Sequence, residues 1–114
     1  MELQEDAHRE GTLHISRHDT NRIVISGTEF TQPFLLSSSR TAEWIPFDWS
    51  LVLQWQPELV LLGCHDVDDA TLAPLFDANI SVERMSTASA CRTFNALAHE
   101  GRDVVAAFAM DVSE

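Results

Sequence analysis

The sequence contains no lysine and no tyrosine, so all seven of its basic residues are arginines. Without lysine the chain cannot form a Schiff base or the lysine–phosphate contact of a P-loop, and without tyrosine it lacks a phenolic acid. Eighteen acidic residues against seven arginines give a formal net charge of −11 over 114 residues. This charge disfavours nucleic acids and anionic membrane surfaces, so we expect no nucleic acid as a partner.

Cysteine is scarce, and long apolar runs are missing. Cys64 and Cys91 lie far apart and form no C-x-x-C pair, so we predict two reduced thiols and no disulfide. No stretch is apolar enough to cross a membrane, and the acidic start of the chain differs from a basic signal peptide or presequence. We therefore predict a cytoplasmic, bacterial protein with no transmembrane segment.

Apolar residues make up 45% of the chain, which is the normal share for a globular protein and enough for one hydrophobic core. We predict an acidic N-terminal tail over residues 1–11 and a single α/β domain over residues 12–114. No internal repeat, linker or low-complexity segment divides this domain.

The first third of the chain has the alternation typical of short β-strands. Apolar residues alternate over 12–17 and over 22–26, and turn-forming residues separate these stretches, so the pattern predicts a hairpin. Gly27 interrupts the second strand, Phe30 continues it briefly, and residues 34–36 form a further short strand.

Helical and strand patterns alternate in the rest of the chain. The predicted helices begin near Asp48, Thr71 and Ser86, and the predicted strands cover residues 59–62, 80–85 and 104–109. Strands that alternate with helices imply right-handed crossovers and partly parallel pairing. We therefore predict an α/β fold: a single compact domain with a mixed sheet layered with helices, in which an N-terminal β-hairpin is followed by β-α-β-α-β-α-β.

Open α/β sheets bind ligands beyond the carboxyl ends of their strands, which favours the loop after Gly63 and the start of the long helix. A helix N-terminus presents unpaired N–H groups, and Ser86 and Thr87 add hydroxyl groups there. Arg92 leans back toward this helix start, where a cation is favourable only beside an anion. That anion is either an external ligand or a carboxylate of the neighbouring acidic loop. The candidate ligand-binding residues are Gly63, Cys64, Ser86, Thr87, Arg92 and Asn95.

No residue pattern predicts a catalytic centre. Cys64, His65, Cys91 and an aspartate match the spacing of no zinc module. Cys64 and His65 form no dyad, because neighbouring residues of an extended segment point to opposite sides, so Cys64 is either a reactive or a partly buried thiol. We expect no catalytic residue, no metal and no cofactor. These expectations favour a protein that is not an enzyme.

Three tryptophans and Phe47 surround Pro46 in an aromatic segment. Helical spacing places most of these rings in the core. Two rings left exposed together would form a partner-binding patch, because aromatic side chains are favoured interface anchors. The candidate partner-binding residues are Trp44, Trp49 and Trp55.

Four motifs in the second half of the chain carry a family resemblance. They are residues 57–63 (PELVLLG), 82–87 (VERMST), 90–97 (ACRTFNAL) and 100–102 (EGR). In this combination they resemble the small α/β domain family of uncharacterised prokaryotic proteins that includes the adipogenesis-associated domain protein and mitochondrial NADH:ubiquinone oxidoreductase (complex I) assembly factor 3. The resemblance is strong over the last half and loose over the opening hairpin. Two departures are Cys64-His65, where the family has a small Thr-Gly pair, and Phe94, where it has tyrosine.

This resemblance implies an α/β fold and no established reaction, since the best-understood eukaryotic relative is a non-enzymatic helper in membrane complex assembly. We therefore expect a protein-interaction or assembly-factor-like domain with a protein partner, by resemblance in respiratory complex assembly. The alternative is a small-molecule or anion-binding domain, enzymatic or not, with a pocket at the Gly63 loop and the Thr87 helix start. A third interpretation is a domain that dimerises through its hairpin edge or its tryptophan segment, so the chain is a monomer or a homodimer.

Overall fold

The computed structural model describes residues 12–19, 21–64 and 66–110 of the chain. The acidic tail predicted for residues 1–11 lies outside these residues, and so does His65. Within them the predicted α/β fold with a mixed sheet is confirmed. None of the helices in the described residues is both long enough and apolar enough to span a bilayer.

Eight strands and three helices follow one another along the described chain. The strands are β1 (Ile15–His18), β2 (Ile23–Ile25), β3 (Thr28–Phe30), β4 (Phe34–Leu36), β5 (Thr41–Glu43), β6 (Leu59–Gly63), β7 (Ser81–Met85) and β8 (Val104–Phe108). The helices are α1 (Ser50–Trp55), α2 (Asp69–Asp77) and α3 (Thr87–His99). Helix α1 lies between β5 and β6, α2 between β6 and β7, and α3 between β7 and β8.

The strands form two sheets. Strands β1, β2 and β3 make a three-stranded antiparallel sheet, and the other five lie in the order β5-β4-β8-β6-β7. In this larger sheet β6 is parallel to both β7 and β8, whereas β4 is antiparallel to both β5 and β8. The last strand of the chain, β8, therefore lies at the centre of the larger sheet.

Each face of the five-stranded sheet carries its own hydrophobic cluster. Leu61 of β6 belongs to the cluster beneath α3 and the three-stranded sheet. Its neighbours Val60 and Leu62 belong to the cluster beneath α1 and α2. Successive side chains of a strand point to opposite faces, so this central strand is buried on both sides, as its continuous apolar run predicts. The domain has three layers, with helices or strands covering both faces of the central sheet.

Side-chain caps define where α2 and α3 begin. The Asp68 carboxylate accepts a hydrogen bond from the backbone N–H of Thr71, and the Ser86 hydroxyl accepts one from the N–H of Ser89. The sequence analysis placed the cap of α2 at Thr71, so that prediction was three residues late. The acidic residue is the cap because its oxygen reaches the unpaired N–H groups of the first turn.

Two short strands were not predicted. Ser26 and Gly27 both have positive φ, 50° and 84°, and they reverse the chain so that Thr28 pairs with Ile25. Phe30 therefore lies in a separate strand, β3, rather than in a continuation of the second strand. Strand β5 likewise returns antiparallel along β4 after the serine-rich turn.

Candidate functional site

Several candidate residues lie on segments that begin at one end of the five-stranded sheet. Phe108, at the carboxyl end of β8, pairs with Gly63 at the end of β6 and with Phe34 at the start of the antiparallel β4. Phe34 in turn pairs with Glu43 at the end of β5. The loop after β6, the start of α3 and the aromatic segment after β5 therefore all begin at this end.

Gly63 allows α3 to begin close to the sheet. A Cβ atom at this position would lie 3.1 Å from Cδ1 of Phe108 and 3.6 Å from the Cα of Thr87. The absence of a side chain is thus used for packing within the protein, between strand and helix. Gly63 itself is buried, and the space around its Cα is filled by the Phe108 ring and the first residue of α3.

The polar groups at the start of α3 bond to one another. The Ser86 hydroxyl caps the helix by accepting from the N–H of Ser89 at 3.1 Å. Arg92 lies on the exposed side and donates to the Ser89 hydroxyl at 3.4 Å. Within the described residues Arg92 forms no ion pair. Arg84 of β7 takes that role instead, because it binds the Asp69 carboxylate at 3.1 Å.

Asn95 lies two turns further along α3, about 12 Å from Thr87 along the helix axis, and it does not join the other candidate residues. Its side-chain oxygen accepts from the backbone N–H of Ile15, and its side-chain nitrogen donates to the carbonyl of the same residue, both at 2.8 Å. A groove of about 310 Å³ lies beside this contact, between residues 12–14 and the second half of α3.

The two thiols differ in their surroundings. Cys91 lies on the buried face of α3, and this burial raises the pKa of its thiol to about 12, which keeps it protonated and unreactive at neutral pH. Cys64 is half-buried at the edge of the cluster beneath α1 and α2. In the part of the chain that the structure describes, no three histidine, cysteine or acidic side chains converge into a group that could hold a metal ion.

Three rings of the aromatic segment form a compact group, which we call the aromatic platform: Trp44, Phe47 and Trp49. The centroids of the two tryptophan rings are 5.3 Å apart, and Phe47 meets Trp44 edge-on at 5.6 Å. Each indole N–H is used inside the protein, that of Trp44 by the carbonyl of Asp48 and that of Trp49 by the carbonyl of Thr71, both at 2.9 Å.

The tryptophans do not form an exposed patch. Trp44 and Trp49 expose only 6% and 4% of their surface, so both belong to the core. Their burial follows from hydrogen bonding of both indoles and from packing against α2, which satisfies the polar and the apolar part of each ring. Trp55 is half-buried at the end of α1, where the Arg40 guanidinium lies 4.2 Å from its ring centroid.

Among the described residues, the most exposed large apolar side chain is that of Ile45, at 75%. This residue begins a tight turn in which the N–H of Asp48 donates to the Ile45 carbonyl at 2.9 Å, and Phe47 has a left-handed φ of 73°. We call residues 45–48 the Ile45 turn. The exposed carboxylates of Glu43 and Asp48 lie on either side of Ile45 along the chain.

The sequence analysis missed Ile45 because aromatic side chains are the favoured interface anchors, and the tryptophans beside it carry that signal. A signal was present, since Ile45 breaks the alternation of Ala42 and Trp44 and is followed by Pro46. Among the described residues, the other large apolar side chain left exposed is Phe76, at 43%.

Comparisons with known proteins agree on the fold. A search of the curated proteins finds no match. A protein of Xanthomonas campestris, solved by NMR, is 26% identical, with a TM-score of 0.77 over 100% of this chain and 96% of that one. A protein of Bordetella parapertussis is also 26% identical, with a TM-score of 0.71 over 87% of this chain and 96% of that one. A Mth938-like domain from Bordetella pertussis, 23% identical, has a TM-score of 0.72 over 97% and 93% of the two chains.

These neighbours are consistent with the small α/β domain family that the four sequence motifs resemble. A family model matches residues 15–109, which span β1 to the end of β8. Its description, "Protein of unknown function", gives the family no activity. On this match the chain belongs to the DUF498/DUF598 family.

Proposed function

We propose that this protein is a non-enzymatic protein-interaction domain of the assembly-factor type, which binds a partner protein through the Ile45 turn. By resemblance, the partner is a component of a respiratory or other membrane-associated complex. The observation that carries the proposal is the 75% exposure of Ile45. The turn that presents this side chain is held in one conformation by the aromatic platform and by local hydrogen bonds. An exposed aliphatic side chain of this kind has the properties of an anchor that fills a pocket on a partner.

The turn is held in place before any partner arrives. Trp44 and Asp48 are joined by an indole-to-carbonyl hydrogen bond, and the Asp48 carboxylate also accepts from the N–H and the hydroxyl of Ser50. The Phe47 ring packs against both tryptophans of the aromatic platform. A partner that binds Ile45 therefore orders little additional chain, which lowers the entropic cost of association.

The alternative, a small-molecule or anion site at the Gly63 loop and the start of α3, has less support. Phe108 and Thr87 occupy the space next to Gly63 that a ligand would need. The Ser86 hydroxyl already serves as the helix cap, and the Asn95 amide is committed to Ile15. Of the polar candidates at this end, Ser86 and Arg92 are exposed, and Arg92 is the one that does not cap the helix.

The test is an affinity purification of the tagged full chain from its native host, with coeluting proteins quantified by mass spectrometry. We compare the wild type with Ile45→Asp, and we use Phe76→Asp as the matched control because it places the same charge on the other exposed apolar residue. Ile45→Asp changes a largely exposed side chain and should alter the free energy of unfolding by less than about 0.5 kcal/mol, whereas Phe76→Asp removes a ring that is more than half buried and should cost about 1–2 kcal/mol. Circular dichroism checks that both variants are folded.

We expect a specific partner whose recovery falls at least about tenfold with Ile45→Asp, equivalent to about 1.4 kcal/mol of binding free energy, and is unchanged with Phe76→Asp. Equal recovery of every coeluting protein by the wild type and by folded Ile45→Asp would refute the proposal. Recovery of chaperones alone in repeated purifications would also count against it.

A further inference from the structure

We infer that the partner binds this site by adding an extended, basic strand to the open edge of β5, beside Ile45. The inference rests on the proposed function, and it names the chemistry of the partner at the same surface. Strand addition is a common mode of peptide recognition, in which backbone hydrogen bonds supply affinity and neighbouring side chains supply specificity.

The pairing of β5 with β4 shows which of its backbone groups are open. The N–H of Ser37 donates to Arg40 and the N–H of Trp44 donates to Pro33, which marks these as hydrogen-bonded pairs. Hydrogen-bonded pairs alternate with non-hydrogen-bonded pairs along an antiparallel ladder. The N–H and C=O groups of Ala42 therefore point toward β4, whereas those of Thr41 and Glu43 point away from β4.

Strand β5 is an edge strand of the five-stranded sheet. Among the described residues, no hydrogen bond reaches the outward N–H and C=O groups of Thr41 and Glu43. An added strand would find two donors and two acceptors at the spacing of a β-ladder. Open edges of this kind are templates for pairing with another chain.

Side chains mark both ends of this edge. At one end Arg40 covers the ring of Trp55, which places the last residue of α1 beside the start of β5. At the other end Ile45 projects two residues after the strand. The span from Thr41 to Ile45 is about 13 Å at the rise of an extended chain. An added strand of four or five residues would therefore reach Ile45 with one of its side chains.

The charges at this edge favour a basic strand. Glu43 lies on β5, Asp48 closes the Ile45 turn, and both side chains are exposed. Hydrogen bonds from Ser50 lower the pKa of the Asp48 carboxyl, so it remains ionised well below neutral pH. Arg40 is the one cation at this edge among the described residues, and its guanidinium is stacked on Trp55. The whole chain adds a net charge of −11, which attracts a basic partner and repels an acidic one.

The test is an NMR titration of the ¹⁵N-labelled full chain with synthetic octapeptides blocked at both ends. The probe alternates arginine and valine. One comparison peptide alternates glutamate and valine, and a second carries an N-methyl group on every residue of the arginine peptide, which removes the backbone donors of both edges. Thr41→Pro is the matched protein variant, because proline removes an outward N–H and leaves the pairing of Ala42 with β4 intact.

We expect saturable binding of the arginine peptide, with the amide signals of Thr41 and Glu43 shifting and becoming protected from hydrogen exchange. N-methylation of the peptide and the Thr41→Pro substitution should each weaken binding about tenfold or more, since each removes hydrogen bonds at the new interface. The glutamate peptide should not bind at the same concentrations.

Equal binding of the N-methylated peptide, or no binding of the arginine peptide, would overturn the inference. If Thr41→Pro does not fold, the inference is tested by the binding of the N-methylated peptide to the wild-type protein. Thr41→Pro is also taken through the affinity purification. If folded Thr41→Pro keeps the partner that Ile45→Asp loses, strand addition is rejected and the proposed function stands. If both variants keep the partner, the proposed function itself is rejected.

Discussion

Asn95 joins two parts of the chain that are 80 residues apart. Its amide group bonds both the N–H and the C=O of Ile15, so β1 receives from a side chain the two hydrogen bonds that a further strand would supply. This contact closes part of the outer edge of the three-stranded sheet and fixes that sheet against α3. A residue chosen as a ligand-binding candidate thus has a structural role.

Asn95→Ala should lower the free energy of unfolding by about 1–3 kcal/mol, because it leaves two partly buried backbone groups of Ile15 without partners. The measurement is urea unfolding followed by circular dichroism. Asn21→Ala is the control, since Asn21 lies in an exposed turn and its side chain makes no hydrogen bond among the described residues, so the change should be below about 0.5 kcal/mol. Equal stability of the two variants would contradict the role given to Asn95.

Residue patterns could predict the place of Asn95 on α3 but not its partner. Helical spacing places Asn95 on the same helix as Thr87 and Arg92, and this favoured a shared site. Its contact with Ile15 depends on how the three-stranded sheet packs, which local spacing does not contain. The same reason applies to the indole N–H of Trp49, which donates to the Thr71 carbonyl of α2, 22 residues further along the chain.

The helices and the buried strands were predictable as elements, whereas the two shortest strands were not. Strands β6 and β8 have continuous apolar runs, the three helices have apolar spacing, and α2 and α3 also have capping residues. Strands β3 and β5 have the sequences TEF and TAE, which show no apolar alternation, and each forms because a neighbouring strand pairs with it. The open edge of β5 is therefore visible only in the folded structure.

Helix α2 makes the stability of the protein depend on pH through its cap. Hydrogen bonds from the hydroxyl and the N–H of Thr71 lower the pKa of Asp68 below its ordinary value of 3.8. A carboxyl whose pKa is lowered in the folded state stabilises that state above the unfolded pKa, and this contribution is lost as the pH falls through the folded pKa. Asp68→Ala should therefore lower Tm at neutral pH.

The difference in Tm between Asp68→Ala and the wild type should shrink as the pH falls from about 6 to about 2, because the wild type loses its charged cap over this range. Calorimetry at several pH values measures it. Asp66→Ala is the control, since Asp66 is exposed in the same loop and forms no hydrogen bond among the described residues. A difference for Asp68→Ala that stayed constant with pH would show that the charge of the cap does not matter.

In the molecule as a whole, the repulsion between its acidic groups is larger than the attraction within its ion pairs. Among the described residues there are four ion pairs, made by Arg22 with two carboxylates and by Arg84 and Arg102 with one each. The side chains in all four are well exposed, and such pairs contribute little. With a net charge of −11, compaction brings like charges together.

Adding sodium chloride should therefore raise Tm, because a shorter Debye length, about 10 Å at 0.1 M and about 3 Å at 1 M, weakens this repulsion. Thermal unfolding over that range measures the effect. Asp77→Arg, at an exposed position without an ion pair in the described structure, should raise Tm at low salt and reduce the salt dependence. A Tm that fell with added salt would mean that the ion pairs outweigh the repulsion.

The position of the last strand also determines when the protein can fold. Strand β8 lies between β4 and β6, so the two halves of the five-stranded sheet are joined only by the strand that the ribosome makes last of these five. Until residues 104–108 have left the exit tunnel, β4 and β5 on one side and β6 and β7 on the other have no strand between them. The domain therefore completes its fold only after these residues have emerged, and its nascent chain exposes the apolar edges of both half-sheets until then.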